Sequence, residues 1–321
     1  MPDTPTPEIL MPTAMMPLIV DQLASAATLH KLWLAADRDA EIARIAPTIV
    51  GMAVGGGHQP IDAAFMGRFP NLKIVSSFGV GYDHVDAAWA GKHGIIVTNT
   101  PDVLNEEVAD TALGLLLSTV RRLPQADRYL REGKWMGGAF PLSDSLRGKT
   151  MGILGLGRIG KAIAKRGEAC GLKIAYHGRS RQTDVAYPYF ASLVEMAKAV
   201  DILMVITPGG PATNKLVNAE VLDALGPKGV LINVARGSVV DEAALIAALR
   251  DGRIAAAGLD VFEVEPCAPS ELIGMDNVVL LPHVGSASVE TRRAMAQLVV
   301  DNLLSYLSGK GALTPVPEAC G

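Results

Sequence analysis

Three ionisable residues in the second half of the chain stand at the ends of apolar segments, and together they could reduce a ketone. Arg236, Glu265 and His283 belong to three such segments, which cover residues 230–236, 258–266 and 277–283. The carboxyl ends of parallel strands meet at one edge of a sheet, where α/β proteins bind ligands. The pattern therefore predicts that the three side chains converge on one site.

Reduction of a 2-oxo acid requires a hydride, a proton donor at the ketone oxygen and a cation for the carboxylate or carbonyl. His283 is the natural proton donor, because imidazole titrates near neutral pH. Glu265 would orient the imidazole and stabilise its charged form. Arg236 would hold the planar carboxylate with its guanidinium fork. Taken singly, each residue also fits a structural role.

A glycine motif with the run GLGRIG occupies residues 155–160, between an apolar strand and a helical segment. This context is typical of dinucleotide binding, where Gly155 makes the tight turn, Gly157 admits the pyrophosphate and Gly160 lets helix and strand pack closely. Arg158 and Ile159 open the helix, whose N-terminal N–H groups bind phosphate. The alternative is a glycine-rich turn without a ligand.

The residues after the next strand indicate which dinucleotide is bound. An NAD site places Asp or Glu about 20 residues after the glycines, whereas this chain has Arg179, Ser180 and Arg181 there. Guanidinium groups suit the 2′-phosphate of NADP. We therefore predict that NADPH is preferred over NADH. The alternative is that these arginines are solvated loop charges.

Length and patterning predict two α/β domains. The 321 residues suffice for roughly two domains, and the apolar runs carry little polar alternation, as in parallel sheets that are covered on both faces. We expect two doubly wound parallel-sheet domains, with helices over 103–123 and 287–308 among others. A discontinuous substrate domain would comprise 1–98 and 285–321, and a dinucleotide-binding domain 99–284. The tail 314–321 is expected to fray.

Composition excludes several classes of protein. Apolar residues make up 49% and charged residues 19%, and the net charge is −4. These values argue against disorder and against a nucleic-acid partner. Three scattered cysteines indicate neither a disulfide framework nor a metal site, and favour reduced thiols in the cytoplasm. With no run of 18 apolar residues, we expect no membrane partner.

The motifs together resemble one family, the D-isomer-specific 2-hydroxyacid dehydrogenases. The resemblance runs from about residue 73 to the final helix, through the motifs SSFGVG, TNTP, GLGRIG, NVARG and PHVGS. It implies that Arg236, Glu265 and His283 are catalytic and that the Val80 and Gly81 backbone binds the substrate carboxylate. It also implies that Asp260 lies near the nicotinamide amide, and that the cofactor is lined by further residues: Thr207, Pro208, Val234, Ala235 and Ser286.

Within the family, the chain is most similar to NADPH-dependent glyoxylate/hydroxypyruvate reductases and hydroxyphenylpyruvate reductases. The resemblance implies a Rossmann cofactor domain, a flavodoxin-like substrate domain, a small 2-oxo acid as substrate and a homodimer. A bulkier oxo acid such as phenylpyruvate or 2-ketogluconate stays open, partly because the glycine-rich run 54–58 leaves the pocket size open. A less favoured alternative is a dinucleotide-sensing regulator. A formate enzyme is disfavoured, because it would carry Gln in place of Glu265.

Four further residues have alternative roles. Trp135 could be a core residue, could lie at a subunit interface or could reach a substrate. Ser286 could cap the last helix instead of lining the cofactor site. His58 and His93 are expected to be ordinary loop histidines.

Overall fold

The computed structural model describes residues 6–55, 59–268 and 270–320. The chain divides into two compact units, the first formed by Met1–Leu104 with Ser288–Gly321 and the second by Asn105–Ala287. Each unit is built on one parallel β-sheet, which confirms the predicted fold class. The assignment of substrate to the first unit and cofactor to the second stays a prediction.

The first unit contains five parallel strands in the spatial order β2-β1-β3-β4-β5, the flavodoxin-like order. The strands are β1 (Glu8–Met11), β2 (Thr28–Lys31), β3 (Ile49–Val54), β4 (Ile74–Ser77) and β5 (Ile96–Thr98). The helices between them are α1 (Pro17–Ala26), α2 (Arg38–Ile45), α3 (Ala63–Met66) and α4 (Ala87–Lys92), with a 3₁₀ turn at Leu32–Leu34. Every residue of β4 is buried, because helices cover both faces of the sheet.

The second unit contains seven parallel strands in the order β12-β11-β10-β9-β6-β7-β8. From its other edge this is the dinucleotide-binding order 3-2-1-4-5-6 with one added strand, and the order reverses between β6 and β9. The strands are β6 (Thr150–Leu154), β7 (Lys173–His177), β8 (Tyr189–Phe190), β9 (Ile202–Val205), β10 (Val230–Asn233), β11 (Ala256–Leu259) and β12 (Val278–Leu280).

The helices of this unit are α5 (Asn105–Arg121), α6 (Leu123–Arg131), α7 (Arg158–Ala169), α8 (Leu193–Ala199), α9 (Ala219–Leu225), α10 (Glu242–Arg250) and α11 (Ser270–Ile273). Two 3₁₀ turns, Lys134–Gly137 and Gly237–Val239, complete it. The sequence predicted one helix over 103–123, but Arg122 adopts a left-handed conformation with φ 54° and Pro124 lies in the first turn of α6. Proline cannot donate the backbone hydrogen bond that would continue α5, so the chain turns there.

The final helix, α12 (Val289–Leu307), returns to the first unit and packs against α1 and β4. Its N-terminal cap is Ser288, whose hydroxyl accepts a hydrogen bond from the Thr291 N–H at 3.3 Å. The proposed capping role of Ser286 is therefore wrong, because the helix begins two residues later than that role requires. Gly309, with φ 81°, ends the helix as expected. Among the described residues, no helix combines the length and apolarity needed to cross a bilayer.

The chain from α12 to Val316 is held in place by hydrogen bonds, so the predicted fraying is wrong for residues 314–316. The buried amide of Asn302 accepts hydrogen bonds from the N–H groups of Leu313 and Thr314, both at 2.9 Å. Pro315 then bridges to Thr98, and Val316 is 1% exposed. The tail stays in place because its backbone donors are satisfied and an apolar side chain is buried.

Replacing Asn302 with Ala should lower the free energy of unfolding by about 3 kcal/mol, because two backbone N–H groups lose their acceptor in a buried position. Urea denaturation followed by circular dichroism measures the change. The control is Asn71→Ala, which removes one exposed hydrogen bond to Pro47 at 2.7 Å and should change the stability by less than about 1 kcal/mol. Equal effects of the two substitutions would contradict the anchoring role of Asn302.

Candidate active site

The predicted site residues of the second unit lie on the loops that leave the carboxyl ends of its strands. Gly155 follows β6, Thr207 follows β9, Arg236 follows β10, Asp260 follows β11 and His283 follows β12. The loops after β6 and β9 lie at the point where the strand order reverses. Parallel sheets of this kind bind ligands in the crevice at that point.

Three glycines shape the loop between β6 and α7, called here the glycine loop (residues 155–160). Gly155 has φ 101°, and a Cβ atom on it would lie 2.9 Å from the Thr207 backbone. A Cβ atom on Gly160 would overlap the Gly155 carbonyl oxygen. A Cβ atom on Gly157 would have no protein atom within 4 Å, so this side of the loop is open to a ligand. The three positions have the three properties that the dinucleotide motif requires.

The N-terminus of α7 differs from those of the helices that follow it. Side chains of Ser192, Asn218 and Asp241 cap α8, α9 and α10, whereas Gly157 gives α7 no side-chain cap. The first-turn N–H groups and the helix dipole therefore suit an external anion. Arg158, which is exposed, and Ile159, which is half-buried, lie in this turn. The chemistry of the loop fits the pyrophosphate of a dinucleotide.

The turn after β7, called here the arginine turn (residues 179–181), presents Arg179, Ser180 and Arg181 as exposed side chains. In the described part of the chain, neither arginine takes part in an ion pair. The carboxylate of Asp184 is held by the Lys161 ammonium at 2.6 Å, and this hydrogen bond keeps the pKa of Asp184 below its ordinary value. The position that accepts ribose hydroxyls in NAD sites therefore carries cations in this chain.

The turn after β10 is organised by Asn233, which is 1% exposed. Its side-chain oxygen accepts a hydrogen bond from the Ala235 N–H at 3.0 Å, and its Nδ2 donates to the Arg236 carbonyl at 3.0 Å. Val234 and Ala235 are buried and Arg236 is half-buried. Asn233 therefore fixes the backbone from which the arginine side chain extends. A polar side chain at the end of an apolar strand is the sequence signal that could have indicated this role. The predicted site residues did not include Asn233.

Two glycines bring neighbouring loops into contact. A Cβ atom on Gly237 would overlap the Phe262 carbonyl, so the Arg236 turn packs directly on the loop that carries Glu265. A Cβ atom on Gly285 would lie 3.0 Å from the Asp260 carboxylate. The close approach of these backbones depends on the absence of side chains.

Glu265 and His283 form a direct pair, with 2.6 Å between Glu265 Oε2 and His283 Nδ1. The other carboxylate oxygen, Oε1, accepts a hydrogen bond from the Phe262 N–H at 2.8 Å. The imidazole is therefore oriented by its Nδ1 atom, and Nε2 is the ring nitrogen that can serve a ligand. The His283 side chain is 48% exposed, which leaves it accessible.

Electrostatics favour the ionised form of Glu265. Burial raises its pKa, but the hydrogen bonds from His283 and the Phe262 N–H, with the charges of His283 and Arg236, outweigh burial and lower the pKa below its ordinary value. The carboxylate therefore stays charged through the neutral range. It can stabilise a protonated His283.

Asp260 is 2% exposed, and its carboxylate holds the turn that contains His283. Its two oxygens accept hydrogen bonds from the Val284 N–H at 2.7 Å and the Gly285 N–H at 2.8 Å. Burial raises the pKa of Asp260, while these two hydrogen bonds lower it without cancelling the effect of burial. The Asp260 carbonyl also accepts from the His283 N–H at 2.8 Å. These contacts maintain the left-handed conformation of His283, with φ 53°.

The other predicted cofactor residues occupy the same sheet edge. Thr207 is half-buried beside Gly155, and Pro208 is exposed with its carbonyl bonded to the Thr213 hydroxyl at 2.7 Å. Ser286 is half-buried in the turn after Gly285. These positions are compatible with a role in lining the cofactor site, which stays a prediction.

Val80 and Gly81 lie in the first unit, in the turn after β4. The Val80 carbonyl accepts a hydrogen bond from the Asn99 side chain at 2.8 Å, and the Gly79 carbonyl accepts from the Thr100 N–H at 2.9 Å. Both residues of the turn are half-exposed. The turn is therefore fixed at the carboxyl edge of the first sheet.

The structure also places several residues with alternative roles. His93 is stacked on Trp89 at 3.8 Å and bonded to its carbonyl at 2.8 Å, as an ordinary loop histidine. Trp135 is 66% exposed, so a role in the core of this chain is wrong. His58 lies outside the described residues, as do Gly56 and Gly57. No group of three or more metal-ligating side chains occurs among the residues that are described.

Comparison with known proteins adds a family to this geometry. Residues 113–285 match the profile of the NAD binding domain of D-isomer specific 2-hydroxyacid dehydrogenase. The chain is 49% identical over 308 residues to glyoxylate/hydroxypyruvate reductase A of Arabidopsis thaliana, a match that covers 96% of this chain and 98% of that protein. It is 52% identical over 263 residues to hydroxyphenylpyruvate reductase of Plectranthus scutellarioides, covering 82% and 84% of the two chains.

A solved structure has the same fold. It is an NADPH-dependent glyoxylate/hydroxypyruvate reductase from Sinorhizobium meliloti in complex with NADP and malonate, with a TM-score of 0.91 and 53% identity over 98% of both chains.

Replacing Gly160 with Ala should weaken dinucleotide binding at least about tenfold, because the new methyl group forces α7 away from the glycine loop. Fluorescence titration with NADPH measures the dissociation constant. The matched control is Gly114→Ala in α5, where a Cβ atom has no neighbour within 4 Å and binding should not change. Unaltered affinity of the Gly160 variant would remove the glycine loop from the cofactor site.

Proposed function

Because this chain belongs to the D-isomer specific 2-hydroxyacid dehydrogenase family, we propose that it reduces a small 2-oxo acid to the D-2-hydroxy acid with NADPH. The observation that carries the proposal is the pair formed by Glu265 and His283, 2.6 Å apart at the carboxyl edge of the sheet. A half-exposed imidazole oriented by a carboxylate is suited to general acid catalysis. The family supplies the reaction class, and the pair supplies the proton donor.

Glyoxylate and hydroxypyruvate are the proposed substrates. The similarity to the Arabidopsis and Sinorhizobium reductases over nearly the whole chain supports them. Hydroxyphenylpyruvate is the second candidate, favoured by 52% identity to the Plectranthus enzyme. The two candidates share the 2-oxo acid group and differ in the size of the side chain that must be accommodated.

The chain's own residues have distinct roles in this proposal. When bound, NADPH would supply the hydride for reduction of the carbonyl group. His283 donates a proton from Nε2 to the carbonyl oxygen, and Glu265, bonded to Nδ1, orients the ring and stabilises its charged form. Arg236 holds the substrate carboxylate or polarises the ketone through its guanidinium. The backbone N–H groups of Val80 and Gly81 are proposed to bind the substrate carboxylate.

NADPH is proposed over NADH on the basis of the arginine turn. Arg179 and Arg181 are exposed at the end of β7, where no carboxylate stands. Each guanidinium can form charge-assisted hydrogen bonds to a 2′-phosphate. The Sinorhizobium relative, which is NADPH-dependent and was solved with NADP, supports the assignment. We further propose that Thr207, Pro208, Val234, Ala235, Asp260 and Ser286 line the cofactor site.

A homodimer is proposed as the working assembly. Large apolar side chains between α6 and β6 are exposed, including Trp135 at 66%, Met136 at 94% and Leu142 at 99%. Exposed large apolar side chains concentrated in one segment are typical of a protein interface. Sedimentation velocity should give twice the mass of the chain.

A cytoplasmic location is proposed from the state of the thiols. Cys170 and Cys267 are both free, which suits a reducing compartment.

Turnover of a panel of 2-oxo acids tests the function directly. We expect NADPH to be oxidised with glyoxylate and hydroxypyruvate, and the loss of nicotinamide absorbance measures the rate. Hydroxyphenylpyruvate, phenylpyruvate and 2-ketogluconate complete the panel, and each acid is tested with NADPH and NADH. Faster turnover of the bulky acids would transfer the assignment to the second candidate. No turnover despite tight NADPH binding would favour a sensor of the dinucleotide.

His283→Ala should lower kcat by about a hundredfold or more while the dissociation constant of NADPH changes little, because the proton donor is lost. Glu265→Gln keeps a hydrogen-bonding group but removes the charge that stabilises protonated His283, so kcat/KM at neutral pH should fall. The pKa of Glu265 lies below its ordinary value, so ionised Glu265 is lost only on strong acidification. Unchanged turnover of the His283 variant would exclude His283 from the mechanism.

The double substitution Arg179→Ala and Arg181→Ala should raise the KM for NADPH at least about tenfold and leave the KM for NADH nearly unchanged, because only NADPH carries the 2′-phosphate. Steady-state kinetics with each cofactor and a fixed oxo acid measure the ratio. The control is Arg250→Ala, an exposed arginine at the end of α10. Equal losses for both cofactors would contradict the phosphate-site assignment.

A further inference from the structure

The arginine turn is held at both ends by polar contacts that the glycine motif did not indicate. On its N-terminal side, the Tyr189 hydroxyl donates to the Gly178 carbonyl at 3.2 Å. On its C-terminal side, the Gln182 N–H donates to the hydroxyl of Tyr176 at 2.7 Å. Tyr176 is 1% exposed and packs against the Tyr189 ring with 5.3 Å between centroids. The turn is therefore held between the hydroxyl groups of buried Tyr176 and half-buried Tyr189.

Gln182 also connects this turn to the glycine loop. Its side-chain Nε2 donates to the Leu156 carbonyl at 2.6 Å, and Leu156 lies between Gly155 and Gly157 with 3% exposure. Gln182 therefore bonds to Tyr176 beside the arginine turn through its backbone N–H, and to the glycine loop through its side chain. The nearby ion pair of Lys161 and Asp184 joins the same two segments, but both of its side chains are more than one-third exposed, so it contributes little.

This connection matters for binding because the phosphate groups of NADPH are covalently linked. The pyrophosphate and the 2′-phosphate are joined through one ribose, so the protein sites that bind them must be kept at a fixed separation. A preorganised site loses less freedom on binding than one that must be ordered by the ligand. The Gln182 side chain spans the two segments and is half-buried, which shields its hydrogen bond from water.

We propose that Gln182 is a positioning residue for cofactor specificity, which fixes the arginine turn relative to the glycine loop so that the 2′-phosphate meets Arg179 and Arg181. The inference rests on the proposed NADPH preference. Gln182 acts through the arginines, and NADH, which has no 2′-phosphate, does not use the arginine turn. Selectivity for NADPH over NADH is the quantity that Gln182 controls.

The test compares the wild type with three variants. These are Gln182→Ala, the double variant Arg179→Ala with Arg181→Ala, and the triple variant that combines all three substitutions. Dissociation constants for NADPH and NADH are measured by fluorescence titration. Gln182→Ala should raise the dissociation constant of NADPH about fivefold, which is the effect of one hydrogen bond. It should raise the dissociation constant of NADH less than about twofold. The triple variant should lose no more selectivity than the double variant, because Gln182 has no effect without the arginines.

Two outcomes overturn the inference while leaving the phosphate site intact. One is an equal loss of NADPH and NADH affinity in Gln182→Ala, and the other is an additive loss of selectivity in the triple variant. By contrast, an unchanged selectivity in the double variant would overturn the phosphate-site proposal itself. The two failures are therefore distinguishable.

Two further variants test whether the effect of Gln182→Ala on selectivity is specific to the arginine turn. Gln22→Ala removes another half-buried amide, which is bonded to Gln297 at 2.8 Å in the first unit, and should leave both dissociation constants unchanged. Tyr189→Phe removes the hydroxyl at the other end of the turn and keeps the aromatic ring. It should lower selectivity in the same direction as Gln182→Ala. If Gln182→Ala does not fold, unchanged selectivity of Tyr189→Phe contradicts the positioning of the turn.

Discussion

The carboxylate of Asp260 is buried where β11 ends, and its hydrogen bonds to the Val284 and Gly285 N–H groups fix the turn that presents His283. A buried carboxylate is costly unless its oxygens are hydrogen-bonded, so the turn and the carboxylate stabilise each other. The Asp260 N–H in turn donates to the Asn233 carbonyl at 3.0 Å, and Asn233 holds the Arg236 turn. Three strand ends are thus joined through one buried polar chain, and the geometry of the candidate site depends on it.

Close approach between backbones is the second constraint. Gly155 lies against Thr207, Gly160 against Gly155, and Gly237 against Phe262, each at a separation that leaves no space for a Cβ atom. The Gly155 and Gly237 contacts bring together loops that follow different strands, and the Gly160 contact closes the glycine loop on itself. The same absence of side chains leaves Gly157 open for a ligand. The buried polar chain and the glycine contacts together fix the backbones of these loops, which helps to hold a proton donor in place.

The two segments of the second unit that we propose to bind phosphate are connected to each other. The uncapped N-terminus of α7 follows β6, and the arginine turn lies between β7 and β8. The Gln182 side chain links the two segments by one hydrogen bond to the Leu156 carbonyl. In the proposed function, the positive charges attract the phosphate groups, and the hydrogen bonds of Gln182 fix the position of the arginine turn. Cofactor selectivity in this view is a property of the loop frame as much as of the two guanidinium groups.

Local sequence patterns predict the fold class, the glycine loop, and the positions of Arg236, Glu265 and His283 after strands, because apolar periodicity and turn residues are local signals. They did not reveal the short strands β1, β2 and β8, the break at Arg122 or the anchored tail. The strands are short and form by pairing with neighbouring strands of the sheet. The break follows from Pro124 at the start of α6, and the tail is held by Asn302, which lies in another element. The hydrogen bonds between Glu265 and Nδ1 of His283 and between Gln182 and Leu156 are visible only in the folded structure. A side-chain hydrogen bond between separate loops requires a specific packing of their backbones, which local sequence patterns do not encode.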